Sequence, residues 1–363
     1  MTDPKKDPAR RFMPLSEWPE QHRIAWEAAI APGDPFTGIG KAAHWSSGTR
    51  CKIISSYGRF LTYRKRRGAL NESSGPGECI HIDLLRDYGV ELETQVAPVT
   101  LAQRFIDLHE ALRVMAPEAD ISDLKRASQV LSARARPSRN KRLKYVPPST
   151  TYDLAMKIMA EAEGPTLEKD LQRALRYRDG LMIAILAARA PRRSNFAAIE
   201  IGRHLTRDGD QYYLCFPGNE MKNGRPWEAP LPDPLTPYID SYLERHRPYL
   251  LNGRKSNNLW ITYEGNDMAE GSIYDRVREL TKQYLGVAMN LHAFRDGPAT
   301  ALAIEDPEHV LCAGPILAQA DPRIAEKHYN QATGIEAARE YQGEIIRQRR
   351  KAANKHRPPR KRP

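Results

Sequence analysis

Apolar side chains recur every three or four positions through most of the first 136 residues, the spacing of helices with one buried face. A first helix is predicted from Ser16 to Ile30, after a loose N-terminal arm, and the prolines of the segment from Ala31 to Pro35 end it. A second is predicted to end at Gly68, with Ile53, Ile54, Tyr57, Phe60 and Leu61 as its apolar face. Further helices are predicted over Ile80–Tyr88, Thr100–Ala116 and Ser122–Ala135.

The second half of the chain combines helical and alternating patterns. Helices are predicted over Thr151–Glu163, Leu167–Ala190 and Glu336–Lys351, and the apolar run from Leu181 to Ala188 is expected to be buried. Short strands are predicted over Ala198–Gly202, Gln211–Phe216 and Pro226–Pro230, separated by turn signals at Asp208-Gly209 and Asn223-Gly224. The expected fold class is mainly α with a small antiparallel β-sheet (α+β).

A proline-bracketed basic stretch predicts the domain boundary. We expect an N-terminal arm and helix over 1–36, a helical domain over 37–136, a linker over 137–150, a second domain over 151–346 and a basic tail over 347–363. The positive charges of the stretch are Arg136, Arg139, Lys141, Arg142 and Lys144. They favour either a segment that follows a phosphate backbone or a solvated hinge.

Composition restricts the partners and the compartment. The formal charge of +11 favours a polyanion such as DNA or RNA, although it also suits solubility or ribosome binding. Cys51, Cys79, Cys215 and Cys312 lack Cys-x-x-Cys spacing, which argues against a zinc site and against a disulfide framework. With no apolar run long enough for a bilayer and no signal-peptide pattern, we expect a soluble protein of the reducing cytoplasm without a membrane partner.

Five side chains match the requirements for cleaving a phosphodiester without a metal or nucleotide. Such cleavage needs fixed cations at the phosphate, a nucleophile and an acid for the departing oxygen. Arginine binds phosphate oxygens through two parallel bonds, tyrosine forms a stable ester, and lysine can donate a proton. The candidates, in chain order, are Arg192, Lys222, His292, Arg295 and Tyr329. Each alone is common: a second His-x-x-Arg pair, His204 and Arg207, is expected on a surface turn after a strand.

By motif, residues 150 to 345 resemble the tyrosine recombinases, also called the phage integrase family. Ala190-Pro-Arg-Arg-Ser-Asn195 is similar to the first arginine box, and Glu220-Met-Lys222 to the hairpin lysine. Leu291-His-Ala-Phe-Arg295 is similar to the second box, and Asp321 to Tyr329 to the tyrosine segment, where a shorter spacing would place His328 instead.

The resemblance implies a role for each residue and needs no cofactor or metal. Tyr329 would attack the scissile phosphate to give a 3′-phosphotyrosyl link, Lys222 would protonate the leaving oxygen, and Arg192, Arg295, His292 and Gln319 would hold the phosphate. It further implies a core-binding domain at 37–136, a catalytic domain at 151–346 and a tetramer on double-stranded attachment sites that reacts through a Holliday junction. Expectations of the same kind are integration of a mobile element, association with the nucleoid and a directionality factor as a further partner.

Basic residues outside the catalytic set are expected to contact DNA. They are Arg64, Lys65, Arg66, Arg67, Arg136, Arg139, Lys141, Arg142, Lys144 and Arg193. Two positions depart from the family pattern: Leu317-Ala-Gln319 replaces Leu-Gly-His or Leu-Gly-Trp, and Asn195 stands where an acidic residue often braces the arginines. These departures leave a second hypothesis open, a DNA-binding regulator or accessory subunit without catalysis. A type IB topoisomerase is a third.

Overall fold

The computed structural model describes residues 7–34, 36, 38–78, 80–136, 146–165 and 169–297. The chain divides into two compact units, Met1–Asn140 and Lys141–Pro363. The division lies within the stretch for which a linker is predicted. Each unit contains its own cluster of buried hydrophobic side chains.

The first unit is helical, as its apolar periodicity predicts. Its helices are α1 (Glu20–Ile30), α2 (Ser47–Arg66), α3 (Ile82–Glu93), α4 (Pro98–Met115) and α5 (Ser122–Arg134). The α2 helix begins after Ser46, whose hydroxyl accepts a hydrogen bond from the Thr49 amide as an N-cap. Its buried face carries Tyr57, Phe60 and Leu61, which have no exposed surface.

The N-terminal segment packs into this same core. Trp18 and Trp26 are buried, and the Trp18 indole donates to the Met13 carbonyl at 3.0 Å. The Met13 amide in turn donates to the Gly58 carbonyl at 3.0 Å. A β-carbon on Gly58 would lie 2.1 Å from the Met13 carbonyl oxygen, so the close approach of the two backbones requires glycine. Residues from Met13 onward therefore belong to the first unit.

The second unit is built around one helix whose C-terminal part is buried on all sides. The described helices of the unit are α6 (Pro148–Glu163), α7 (Asp170–Ala188), α8 (Arg193–Ala197), α9 (Thr236–Ser241), α10 (Arg247–Leu251) and α11 (Glu270–Leu285). Residues 181–186 of α7 have no exposed surface, which confirms the predicted burial of the apolar run. A helical segment that is hydrophobic around its whole circumference belongs in a core.

A three-stranded antiparallel sheet lies in this unit, in the order β1 (Leu205–Asp208), β2 (Gln211–Phe216) and β3 (Trp227–Pro230). Leu214 of β2 is paired with Leu205 on one side and Ala229 on the other, and all three are buried. The strands predicted near β2 and β3 are confirmed.

The strand predicted at Ala198–Gly202 is wrong. Glu200 and Ile201 form only isolated bridges, and Gly202 adopts a positive φ of 81° that turns the chain into β1 instead. The third strand of the sheet is therefore Leu205–Asp208, which lies immediately after that turn.

A buried ionic cluster joins α7 to α11. The Asp179 carboxylate accepts hydrogen bonds from Arg178 Nε and Nη2 at 3.1 and 2.7 Å and from Arg276 Nε at 2.8 Å, and Arg276 Nη2 lies 2.7 Å from it as an ion pair. The Asp179 side chain is only 1% exposed. Two guanidinium groups thus share one buried carboxylate, and Arg276 has the exposed Glu279 as a second counter-charge.

Residues 291–297 form a helical segment, and the predicted helix Glu336–Lys351 and the basic tail lie outside the described residues. Among the helices that the structure describes, none combines the length and apolar character needed to cross a bilayer.

Candidate functional site

Arg192 lies at a sharp junction between two helices. The α7 helix ends at Ala188, and Pro191, which cannot continue a helix, keeps the chain extended until α8 begins. Arg192 is the N-cap residue of α8, with extended backbone angles of −62° and 151°. Within the described part of the chain, its buried Nη1 has no hydrogen-bond partner. The Nη1 atom of Arg192 is therefore a donor that could bind an acceptor at this junction.

Arg295 lies in the helical segment 291–297 and is 8% exposed. Its Nη1 donates to the carbonyl of Ala190, which ties it to the same junction. Burial, and after it the positive charge of Arg192, lower the pKa of Arg295 to about 10, although Asp296 acts in the opposite direction. The lowered pKa reflects two cations held near each other in a partly dehydrated place.

The two arginines line one small pocket. Its other walls are Pro191, Asn195, Met221 and Trp227. No carboxylate is among these lining residues, and Asp296, next to Arg295 in the chain, is the acidic group that acts on Arg295. An anion with several acceptor oxygens would satisfy the donors and relieve the repulsion, and phosphate has this chemistry.

Lys222 lies on the connection between β2 and β3, next to the pocket-lining Met221. Its side chain is exposed, whereas Met221 is 7% exposed. The Gly224 amide donates to the Met221 carbonyl at 2.9 Å, and Gly224 has a positive φ of 69°, so the connection turns tightly around Lys222. Lys222 thus directly follows, in sequence, a residue that lines the arginine pocket.

His292 does not line the arginine pocket in the described part of the chain. Its side chain is 67% exposed, and Nε2 lies 3.5 Å from the Asp296 carboxylate one helical turn later. The structure therefore brings Arg192 and Arg295 together, carries Lys222 to their vicinity and leaves His292 on the surface of its helix. Gln319, Tyr329 and the alternative nucleophile His328 lie outside the described residues.

Three residues near the site were not identified from the sequence in these roles. Asn195, considered there only as a replacement for an acidic brace, donates from Nδ2 to the Glu220 carbonyl at 3.2 Å. The Glu220 carboxylate lies 2.8 Å from His204 Nε2. His204 was predicted on a surface turn, which is wrong: it is 1% exposed because its ring stacks on Phe216, with centroids 5.0 Å apart. His204 and Glu220 lie 16 positions apart, and no local pattern in the sequence pairs them.

The residues predicted to contact DNA have different environments. Lys65, Arg66 and Arg67 are exposed at the end of α2, and Arg66 pairs with Glu91 at 2.7 Å. Arg64 is fully buried over the Phe60 ring, so its place in the DNA-contacting set is a correction: its guanidinium faces the core.

Arg136 is exposed. Arg193 pairs with Glu270 and lies over the Tyr274 ring, which gives it partners within its own unit. Outside the described residues lie Arg139, Lys141, Arg142 and Lys144. Among the described residues, no group of three His, Cys, Asp or Glu side chains is arranged to hold a metal ion.

Solved structures with a similar fold include two of the XerH site-specific recombinase. In the pre-cleavage complex with difH substrate the TM-score is 0.55 at 13% identity, over 90% of this chain and 99% of that one. In the post-cleavage complex with palindromic difH substrate it is 0.53 at 13% identity, over 77% and 75%. The Tn1549 transposon integrase with transposon right-end DNA gives 0.50 at 12% identity, over 82% and 96%.

These similarities show the fold. No family model matches the chain, and no curated protein matches it by sequence. The predicted fold class, mainly α with a small antiparallel sheet and the layout of the tyrosine recombinases, is confirmed.

Proposed function

We propose that this chain is a site-specific DNA recombinase or integrase that cleaves and rejoins DNA through a 3′-phosphotyrosyl intermediate. The observation that carries the proposal is the convergence of Arg192 and Arg295 on one pocket whose lining holds no carboxylate. Charge on a pentacoordinate phosphorus needs this arrangement of fixed donors. The fold, shared with recombinases and an integrase solved on DNA, supports the same conclusion.

Each step assigns one role to one residue. Tyr329, as a phenolate whose proton has passed to water, forms a bond to phosphorus, and the bond from phosphorus to the 5′-oxygen breaks. The Lys222 ammonium gives its proton to that oxygen, leaving a free 5′-hydroxyl. Arg192 and Arg295 bind the non-bridging oxygens throughout. Religation runs the same steps in reverse, so no external energy source is required.

His292 and Gln319 complete the proposed phosphate site. His292 is close enough to Asp296 to be held by it, and a rotation of its exposed ring would be needed to reach a phosphate at the arginine pair. Gln319 offers a neutral amide donor. Because both act by hydrogen bonding to the same oxygens, their loss should slow cleavage less than loss of either arginine.

Double-stranded attachment sites are the proposed partner, and the proposed assembly is a tetramer that exchanges strands through a Holliday junction during integration or excision of a mobile element. The XerH structures hold difH substrate and the Tn1549 integrase structure holds transposon DNA, which supports DNA of this kind as the ligand. Lys65, Arg66, Arg67, Arg136 and Arg193 are the described residues proposed to contact its backbone. A directionality factor as a second protein partner belongs to the same proposal.

The test is a trapping assay on a nicked suicide substrate that carries the target site. Wild-type protein should accumulate a covalent protein–DNA adduct, and Tyr329→Phe should form none while binding the same DNA with unchanged affinity. His328→Phe is the matched control and should still trap. An adduct that persists in Tyr329→Phe and disappears in His328→Phe would reject the assignment of the nucleophile.

A second candidate function is a DNA-binding regulator or accessory subunit without catalysis. The position of His292 favours it, since this side chain faces Asp296 and does not line the arginine pocket. Such a protein would bind its site and never form the adduct. Relaxation of a supercoiled plasmid that lacks the site would instead indicate a topoisomerase.

A further inference from the structure

The connection that carries Lys222 is anchored at its start by a carboxylate. Glu220 ends a short 3₁₀ turn, Gly218–Glu220, two residues before Lys222. One carboxylate oxygen lies 2.8 Å from His204 Nε2, and the other accepts from the guanidinium of Arg203. Since the Glu220 side chain is 26% exposed and that of His204 is 2% exposed, the anchor lies at the boundary of the core.

His204 is fixed from several sides. Its Nδ1 accepts from the Glu200 amide at 3.0 Å, and its carbonyl accepts from the Cys215 amide of β2 at 2.8 Å. Because an amide N–H can only donate, Nδ1 carries a lone pair, and in the neutral ring the proton resides on Nε2. Nε2 therefore donates to the Glu220 carboxylate, which makes a directed, charge-assisted bond.

Two further contacts connect Glu220 and the turn around Lys222 to the arginine pocket. Asn195, which lines the pocket, donates to the Glu220 carbonyl, so the same residue is held through both its side chain and its backbone. A β-carbon at Gly218 would lie 2.5 Å from the Gly224 carbonyl oxygen, so the two ends of the turn touch. The two ends of this connection are thus held against each other. Met221, within it, lines the arginine pocket, and Lys222 is the next residue.

We infer that Glu220 and His204 are positioning residues, which hold the connection between β2 and β3 so that the Lys222 ammonium can reach the departing 5′-oxygen. The inference rests on the proposed function and concerns one step of it, the protonation of the leaving 5′-oxygen by Lys222. A lysine has a long flexible side chain and loses entropy when it is directed to one atom. A fixed backbone at its base reduces that loss in the transition state.

The two partners of the Glu220 carboxylate differ in importance. Arg203 is 53% exposed, so its ion pair is screened by solvent and holds the carboxylate weakly. His204 is buried and makes the directed bond. We therefore expect the histidine side of the anchor to dominate.

The experiment compares two DNA substrates that differ in one atom. In the second, sulfur replaces the 5′-oxygen at the scissile phosphate, so that a thiolate leaves without needing a proton. Loss of a positioned acid should then be harmless, whereas damage to the arginine pocket should slow both substrates. Adduct formation is measured for the full-length chain in single-turnover reactions.

On the ordinary phosphodiester, Lys222→Ala should slow cleavage by about 10²–10⁴-fold, the usual contribution of an acid, and Glu220→Ala by about 10–100-fold. Both variants should regain nearly the wild-type rate on the sulfur substrate. His204→Ala should behave like Glu220→Ala. Glu220→Gln, which keeps an acceptor for Nε2, should lose only about threefold.

Glu228→Ala is the matched control, since Glu228 is an exposed carboxylate on the neighbouring strand β3. It should leave both rates unchanged. If Glu220→Ala does not fold, His204→Ala carries the comparison of substrates, since the same loss and the same recovery are expected for it.

A Glu220→Ala defect of equal size on both substrates would overturn the positioning role, and so would the absence of any defect. Failure of the wild type to form an adduct with either substrate would instead remove the proposed function, and the inference with it.

Discussion

Two pairs of arginines in the second unit are held in opposite ways. Arg178 and Arg276 share the buried carboxylate of Asp179, which accepts two hydrogen bonds from the first and one from the second. Arg192 and Arg295 meet at a pocket whose lining contains no carboxylate, and the charge of the first contributes, after burial, to the lowered pKa of the second. A buried carboxylate thus lies between the arginines of the first pair, and among the described residues none lines the pocket of the second pair.

The difference concerns how the protein accommodates the same side chain. A buried cation is tolerated when a carboxylate neutralises it, and removal of that partner leaves an uncompensated charge. The repulsion between Arg192 and Arg295 raises the free energy of the folded state, Asp296 offsets part of it, and a bound anion would lower it further. Arginine does not lose its proton near neutral pH, so both side chains keep their positive charge.

The largest expected effect concerns the pair that shares Asp179. Asp179→Ala should lower the free energy of unfolding by about 3–5 kcal/mol, because Arg178 and Arg276 would both lose their buried counter-charge. Urea unfolding followed by circular dichroism measures it. The control is Glu279→Ala, which removes an exposed partner of Arg276 and should cost less than about 1 kcal/mol. Equal effects for the two variants would show that the buried carboxylate stabilises the protein no more than the exposed one.

Next in size is the effect of removing one arginine from the pair at the pocket. Arg192→Ala should slow adduct formation by about 10²–10³-fold, the usual loss when one donor to a developing charge is deleted. The free energy of unfolding should stay the same or rise, since a repulsion of Arg295 disappears. Arg254→Ala, an exposed arginine elsewhere in the unit, should change neither quantity. Marked destabilisation by Arg192→Ala would show that this arginine is structural.

In the first unit, a buried histidine, His22, lies near the cation Arg64 and stays neutral. Burial, and after it the positive charge of Arg64, lower the pKa of His22 to about 4, although Ser74 and Glu78 act in the opposite direction. The folded form therefore keeps His22 neutral, while the unfolded chain takes up a proton below about pH 6.5. Stability conferred by neutral His22 is complete above that pH and is lost as the pH falls toward 4.

The expected loss is about 2–3 kcal/mol over this interval. Hydrogen exchange of amides in α1 and α2 between pH 6.5 and 4 measures it, after correction for the intrinsic exchange rate. His22→Phe should flatten the dependence, whereas substitution of the exposed His44 by Gln should leave it unchanged. A slope that survives in His22→Phe would assign the effect to another group.

The smallest expected effect is the stabilisation of the folded protein by a simple anion that binds at the arginine pocket. Inorganic phosphate at ten times its dissociation constant should stabilise the wild type by about 1.4 kcal/mol, measured by thermal unfolding at constant ionic strength. Arg192→Ala should lose this response. Sodium chloride at the same ionic strength serves as the control, and an equal response to both salts would indicate general screening.

Periodicity was sufficient for the described helices of the first unit and for burial of the apolar run of α7, because those properties depend on neighbours three or four positions apart. It failed at Ala198–Gly202, where apolar and polar residues alternate as in a strand but Gly202 turns the backbone away. The true strand, Leu205–Asp208, is mostly polar and is defined by its pairing with β2. That pairing is a property of the folded chain.

The site shows the same division. The order of basic residues predicted Arg192 and Arg295 as partners, and the structure brings both to one pocket. Arg64 was misassigned because it belongs to a basic run, although it also follows Tyr57, Phe60 and Leu61 at helical spacing, which was the available sign of burial. The contact of His204 with Glu220 joins distant positions of unlike chemistry, and no local pattern encodes it.

The fixed tautomer of His204 provides a spectroscopic reporter within the second unit. With Nδ1 as acceptor and Nε2 as donor, the two imidazole nitrogens have different chemical shifts in nitrogen-15 NMR, and their separation persists while both bonds last. Release of Glu220 would shift the Nε2 signal, while the Glu200 amide would keep the proton off Nδ1. One resonance pair thus reads the state of the hairpin connection during DNA binding, without a label near the reacting phosphate.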